Sequence, residues 1–220
     1  MDCLATLLGI DEAGRGAVLG PLVLAGVKID KKDESKLKTL GVKDSKLLSR
    51  KQREILYPKV KEIAKDYVVV KVPAKEIDEL RERINLNKIE AMKIGEILNV
   101  MKADHAIIDA PQVSTDKFKA IVKSYTNAKT KLQCENYADM NHVTCAAASI
   151  LAKVERDWEV DAITKEVNFD VGVGYPSDER AVNFVKKALK EKKFLEHIRF
   201  SWVTVSDIIE QKEQRSLSDF

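Results

Sequence analysis

Four carboxylates in this 220-residue chain stand where chemistry could be done. Asp11 and Glu12 are adjacent, at the end of an apolar run that starts at Leu4. Asp109 closes the short run His105-Ala-Ile-Ile, and Asp139 follows an extended-looking stretch from Lys131. Alone, each reads as a turn residue or a helix cap. Together, at the ends of strands that one sheet could bring side by side, they are like charges whose burial is costly unless a cation neutralises them. An oxygen-only ligand set suits Mg²⁺ or Mn²⁺. Two such ions can activate water and stabilise a leaving oxygen in phosphodiester hydrolysis.

Directly after the first acid pair comes Gly14-Arg15-Gly16, followed by Gly20-Pro21. The glycine spacing is not that of a dinucleotide fingerprint, and an apolar strand rather than a helix follows. Glycines here would let the backbone approach a sugar or phosphate, with Arg15 donating to the phosphate. The same residues also read as a tight hairpin with a solvent-facing arginine. Between Lys31 and Asp66 stand twelve Lys/Arg against six Asp/Glu, in a chain whose net charge is only +3. A local basic zone suits a polyanion, and equally a solvated helix face.

The elements that must position these residues can be read from periodicity. Leu4 to Ile10, Pro21 to Ile29, Tyr67 to Val72, His105 to Asp109 and Lys131 to Asn136 read as strands. Asp139 is expected at the end of the last extended segment. Ser49 with Gln52 has capping-box spacing for a helix in which Pro58 predicts a kink or break. Lys31 to Leu40 is loop or a short helix. Further helices are expected over Pro73–Glu82, after a cap at Asn85, over Thr115–Ser124, and from Asn141 to Thr164. In that last one Val143, Ala147, Ile150, Val154 and Trp158 form the apolar side, and Trp202 is assigned to packing as well. Ala146-Ala147-Ala148 would let the helix pack close to a sheet, while His142, Ser149, Lys153 and Arg156 share another face. Ser177, closing the turn-rich Gly172-Val173-Gly174-Tyr175-Pro176, is the expected cap of a helix over Asp178–Lys190, and a final helix starts near Ser206. The order implies an α/β domain with a mixed sheet covered by helices.

Hydrophobic residues make up 45% and charged residues 33% of the chain, which is long enough for one substantial core. Its apolar runs are too short to span a bilayer, and no signal-peptide pattern opens it. Cys3, Cys134 and Cys145 are too widely spaced for a zinc site or a disulfide framework. A reducing, cytoplasmic setting, without a membrane partner, is the expectation.

Four segments in register carry a family resemblance: Gly9-Ile10-Asp11-Glu12-Ala13-Gly14-Arg15-Gly16 with Gly20-Pro21, Asp44-Ser45-Lys46, Ala147-Ala148-Ser149-Ile150-Leu151-Ala152-Lys153, and Gly174-Tyr175-Pro176-Ser177-Asp178. The chain resembles type 2 ribonuclease H (ribonuclease HII) in its archaeal form, over nearly its whole length. The resemblance implies an RNase H-like fold, a mixed five-stranded sheet flanked by helices, with a C-terminal helical extension. Residues 1–178 would be the catalytic domain, 179–213 a helical region and 214–220 a tail. The implied activity is endonucleolytic hydrolysis of the RNA strand of RNA–DNA hybrids. It extends to incision 5′ of single ribonucleotides in duplex DNA, by two metal ions, leaving 3′-hydroxyl and 5′-phosphate ends. A monomer is expected.

By the same resemblance Asp11, Glu12, Asp109 and Asp139 would be the metal-binding catalytic acids. Gly14, Arg15 and Gly16 would read the ribose 2′-hydroxyl. Tyr175 would stack on the sugar after the ribonucleotide, and Lys46, Ser149 and Lys153 would contact phosphates. Tyr175 also reads as a cover over the core edge, and the two lysines as surface cations. The family pattern His-Lys-Ala-Asp is here Asn136-Tyr137-Ala138-Asp139, and its following aromatic-proline pair is His142-Val143; His142 could partly replace the missing basic group. The last residues, Gln214, Leu217 and Phe220, match a sliding-clamp-binding motif, or a frayed terminus. The competing function is a non-catalytic nucleic-acid or clamp-binding protein of the same fold; a third reading is another polynucleotidyl transferase.

Overall fold

A computed structural model describes residues 5–42, 47–112 and 114–218, with side chains described as far as residue 211. Among these residues the order is β1 (Thr6–Ala13), β2 (Leu22–Asp30), α1 (Glu34–Thr39), α2 (Arg50–Ile63), β3 (Asp66–Val72), α3 (Ala74–Arg81) and α4 (Leu86–Met101). Then come β4 (His105–Asp109), α5 (Thr115–Ser124), β5 (Lys131–Glu135), α6 (Ala138–Asn141), α7 (Val143–Val167), α8 (Glu179–Glu191) and α9 (Val203–Ser218). The five strands form one sheet in the order β3-β2-β1-β4-β5. β1 runs antiparallel to β2 and parallel to β4, and β4 runs parallel to β5, so the sheet is mixed as expected.

The chain divides into two compact units. The first holds residues 1–13, 23–70 and 85–155, and the second residues 14–22, 71–84 and 156–220. In the first, alternate residues of β2 pack with the small run Ala146, Ala147 and Ala148 of α7, all fully buried. Gly9 shows how tight this packing is. A Cβ there would fall well inside van der Waals contact with the carbonyl carbon of Thr144 and the amide nitrogen of Cys145. Backbone therefore lies against backbone, which only glycine permits at that point. The second unit has its own core, built from Val160, Ile163 and Val167 of α7, Phe184 and Val185 of α8, and Ile198.

Several local expectations hold. Ser49 and Gln52 form the capping box of α2, and Asn85 caps α4 through the amide of Lys88 at 3.0 Å. Others do not. Of the kink or break expected at Pro58 the break is absent: α2 is continuous through it, with Tyr57 and Val60 buried in the first core. Packing outweighs the single hydrogen bond that proline removes. The cap of α8 is Asp178, whose carboxylate accepts from the Arg180 amide, and not Ser177. Trp158 is 42% exposed, because beyond Glu155 the buried stripe of α7 moves to Val160, Ile163 and Val167. The last helix starts at Val203 rather than near Ser206 and continues to Ser218. No described helix is long and apolar enough to cross a membrane.

Candidate active site

Strand register assembles the first acids. β1 and β4 run parallel, with Gly9 beside Ile107 and Ile10 beside Ile108. One residue further along each strand come Asp11 and Asp109. Because side chains alternate along a strand, Asp11 shares a face with Gly9, the face pressed on α7. Asp109 shares a face with Ile107, which packs with Ala138 and Cys145. From Cys145, steps of four residues along α7 lead to Ser149 and Lys153, so these two follow one face of the helix. Both act on Asp11, Ser149 by a hydrogen bond and Lys153 by its charge.

Asp139 arrives by a different route from the one expected. β5 ends at Glu135, and Tyr137 takes a left-handed backbone conformation (φ 59°, ψ 36°) that turns the chain into α6. Asp139 therefore sits in the first turn of a short helix, not on a strand end. The turn is pinned to the end of β4: Asn136 Nδ2 donates to the carbonyls of Ala110 and Gln112, both at 2.8 Å. The amide of Ala138 donates to Asp109 Oδ1 at 3.1 Å.

The outcome is a compact acidic group. Asp11, Asp109 and Asp139 each present a carboxylate oxygen within 4.8 Å of the other two, and Asp11 and Asp139 are 6% and 2% exposed. Burial, and then the charge of Asp109, pushes the Asp11 carboxyl up to about 7, against the pull of Ser149, Lys153 and the Glu12 amide. Crowded carboxylates in a dry setting hold their protons in this way until a cation takes the protons' place. The set is all oxygen, and it fits a hard divalent ion. Glu12 is not in this close group. It lines, with Asp109, Pro111, Gln112, Asn136 and Tyr137, a cleft of about 390 Å³. His142 Nε2 lies 2.8 Å from Glu135 Oε2.

The glycine loop and Tyr175 belong to the second unit, where buried arginines hold them. Arg199 is fully buried; its Nε donates to the Gly20 carbonyl at 2.9 Å and its Nη1 to the Arg15 carbonyl at 3.1 Å. The Val18 amide donates to the Gly174 carbonyl at 2.9 Å, which ties the loop to the Tyr175 segment. Arg156, 3% exposed, lies 4.6 Å from the Tyr175 ring centroid, and its Nη2 donates to the Val173 carbonyl at 2.7 Å. Gly14 has φ +81°, and a Cβ there would come within 2.6 Å of Arg156 Nε; one at Gly174 would come within 2.9 Å of Nη2. Gly16 is open, with only the Tyr175 ring edge at 3.9 Å from an added Cβ.

Arg156, which the sequence pattern gave no role, is the buried residue that holds the Tyr175 segment. On the helical pattern it was one polar residue among four, and only the two glycines that make room for it carried a signal. Lys46 lies outside the described residues. So do Phe220 and the side chains of Gln214 and Leu217, although the backbone of α9 runs through the latter two.

Comparison with known proteins meets this geometry directly. The family model described as Ribonuclease HII matches residues 8–205. The ribonuclease HII of Methanosphaera stadtmanae is 41% identical over 214 residues, 97% of this chain and 99% of that protein. The crystal structure of the ribonuclease H2 from Pyrococcus horikoshii superposes with a TM-score of 0.86 at 36% identity, over 94% of this chain and 98% of that one. The ribonuclease HII in a complex with PCNA from Archaeoglobus fulgidus gives 0.84 at 36% identity, over 92% and 96%. With the acids on β1 and β4 and the match running through the glycine loop, Tyr175 and both units, the chain belongs to the ribonuclease HII family, a family of endoribonucleases.

Proposed function

We propose that this chain is a divalent-metal-dependent endonuclease that hydrolyses the RNA strand of RNA–DNA hybrids and incises duplex DNA 5′ of a single ribonucleotide. The products would be a 3′-hydroxyl and a 5′-phosphate. The observation that carries this reading is the group Asp11, Asp109 and Asp139, three carboxylates within 4.8 Å of one another in a member of this family. Bound Mg²⁺ or Mn²⁺, as a pair, would supply an activated water and charge stabilisation at the leaving oxygen. The three aspartates, with Glu12 from the adjoining cleft, would hold them.

The remaining residues would bind and select. Gly14, Arg15 and Gly16 would read the ribose 2′-hydroxyl through close backbone approach and the Arg15 guanidinium. Tyr175, backed by Arg156, would stack on the sugar that follows the ribonucleotide. Lys46, Lys153 and Ser149 would contact phosphates; Ser149 is fully buried and engages Asp11, so its effect on substrate would pass largely through that acid. The test offers the purified protein a duplex with one ribonucleotide, an RNA–DNA hybrid and an all-DNA duplex, each with Mg²⁺, Mn²⁺ or EDTA. Metal-dependent cutting of the first two and sparing of the third is expected. No cutting of either would leave the non-catalytic nucleic-acid-binding reading in its place.

A second role concerns the C-terminus. The relative from Archaeoglobus fulgidus is solved with PCNA, and Gln214, Leu217 and Phe220 have the spacing of a clamp-binding motif. Removing residues 214–220 should abolish binding to the sliding clamp and leave cutting of short duplexes intact. Unchanged clamp affinity would make the motif accidental.

A further inference from the structure

The turn that delivers Asp139 has a tyrosine where local structure asks for something else. Tyr137 has φ 59° and ψ 36°, a left-handed conformation that glycine or asparagine adopts far more readily. Its side chain makes no capping hydrogen bond to α6. The residue is 64% exposed, so apolar burial does little to offset the backbone strain. Yet the turn is held on every side. Asn136 Nδ2 grips two carbonyls beyond β4, the Ala110 amide donates to the Glu135 carbonyl at 2.8 Å, and the Met140 amide donates to the Tyr137 carbonyl at 3.0 Å. A tyrosine is thus held in a strained backbone conformation at the wall of the cleft that Glu12 and Asp109 also line. Strain kept in this way, at a site with chemistry beside it, points from geometry to function.

We infer that Tyr137 is a substrate-binding residue, an aromatic platform on which a nucleotide of the bound strand stacks beside Asp109. Stacking asks only for an exposed π-face, which every base matches, and it adds no further negative charge to an acid-lined cleft. A ring with two side-chain torsions on a pinned turn loses little freedom when a base settles on it. The inference rests on the proposed nuclease reading.

The experiment compares Tyr137→Phe, Tyr137→Ala and Tyr137→Asn with the unaltered chain. It measures thermal midpoint, KM and kcat on a ribonucleotide-containing duplex. In EDTA it also follows the fluorescence of 2-aminopurine placed in turn at the positions flanking the ribonucleotide. Stacking by alanine substitution is worth roughly a factor of 5 to 150 per base. Tyr137→Ala and Tyr137→Asn should therefore raise KM about tenfold or more, with kcat changed far less. Quenching of one 2-aminopurine position should disappear in both. Tyr137→Phe should retain both KM and quenching. Tyr137→Asn should unfold no lower than the parent, since asparagine suits the turn. KM within twofold of the parent in Tyr137→Ala, or loss in Tyr137→Phe equal to that in Tyr137→Ala, would overturn the platform, the latter by assigning the effect to the hydroxyl. Either result would be read against a parent that still cuts. A parent that cuts neither substrate would fail the nuclease reading itself.

Discussion

The two units bury opposite charges and resolve them differently. In the first, Asp11 and Asp139 are buried close to Asp109, and burial with mutual repulsion pushes Asp11 up to about 7. In the second, Arg156 and Arg199 are buried, and their donors go mainly to backbone carbonyls and aromatic rings: Val173 and Tyr175 for the one, with Asp157 at 4.0 Å, and Gly20, Arg15 and Trp202 for the other. A guanidinium that spends its donors on carbonyls is a strut. Buried carboxylates crowded within 4.8 Å of one another are a demand for a cation. The difference separates residues expected to do chemistry from residues that hold a loop in shape.

The largest break in this contrast should come from Asp109→Asn, which keeps the side-chain shape and removes a charge from the acid group. Cutting should fall by at least about 10²–10³-fold, with circular dichroism and thermal midpoint close to the parent. A well-folded variant of parental activity would remove Asp109 from the site. Next comes a signature of the crowded acids. The Asp11 carboxyl titrates near 7 in the folded chain against 3.8 in the exposed state, so the folded form holds the proton more tightly. Its contribution is complete below about pH 4 and is lost as pH rises through 7, on the order of a few kcal/mol. In EDTA, the stability of Asp11→Asn relative to the parent should grow over that window, and millimolar Mg²⁺ should flatten the difference. A difference that is flat with pH in EDTA would mean the acids are satisfied without metal.

The second unit should respond more gently. Arg156→Leu leaves the Val173 carbonyl without its donor and the Tyr175 ring without its cation. Loss of about 1–3 kcal/mol of stability is expected, with a roughly tenfold rise in KM on a ribonucleotide duplex. Arg156→Lys should recover part of the KM. The smallest effect separates two glycines that look equivalent in sequence. Gly14→Ala should disturb the loop through both φ and Arg156, whereas Gly16→Ala, which meets only open space and the Tyr175 ring, should leave the thermal midpoint unchanged. Any loss in Gly16→Ala would then appear in substrate KM alone.

These outcomes also trace what could be read from the chain. Asp11 and Asp109 were legible because an apolar run ending on an acid is a local pattern, and parallel register does the rest. The capping box at Ser49 and the close packing of Ala146 to Ala148 were legible for the same reason. Asp139 was placed on the wrong kind of element because a left-handed tyrosine leaves no mark in periodicity. Arg156 received no role of its own beside His142, Ser149 and Lys153 because its partners, Val173 and Tyr175, lie a loop away. Trp158 was assigned to packing because one helix pattern was extended across a change of core.

Gly9 gives the site a property of another kind. Its missing side chain lets the start of α7 rest directly on β1, two residues before Asp11 on the same face of the strand. The separation between that acid and the helix carrying Ser149 and Lys153 is therefore gauged by peptide planes in contact. Side-chain packing yields to heat and substitution by repacking, but two touching backbones have no rotamers to exchange. Drift elsewhere in the hydrophobic interior should leave this distance nearly unchanged, so the geometry around Asp11 can tolerate a varied core provided position 9 stays bare.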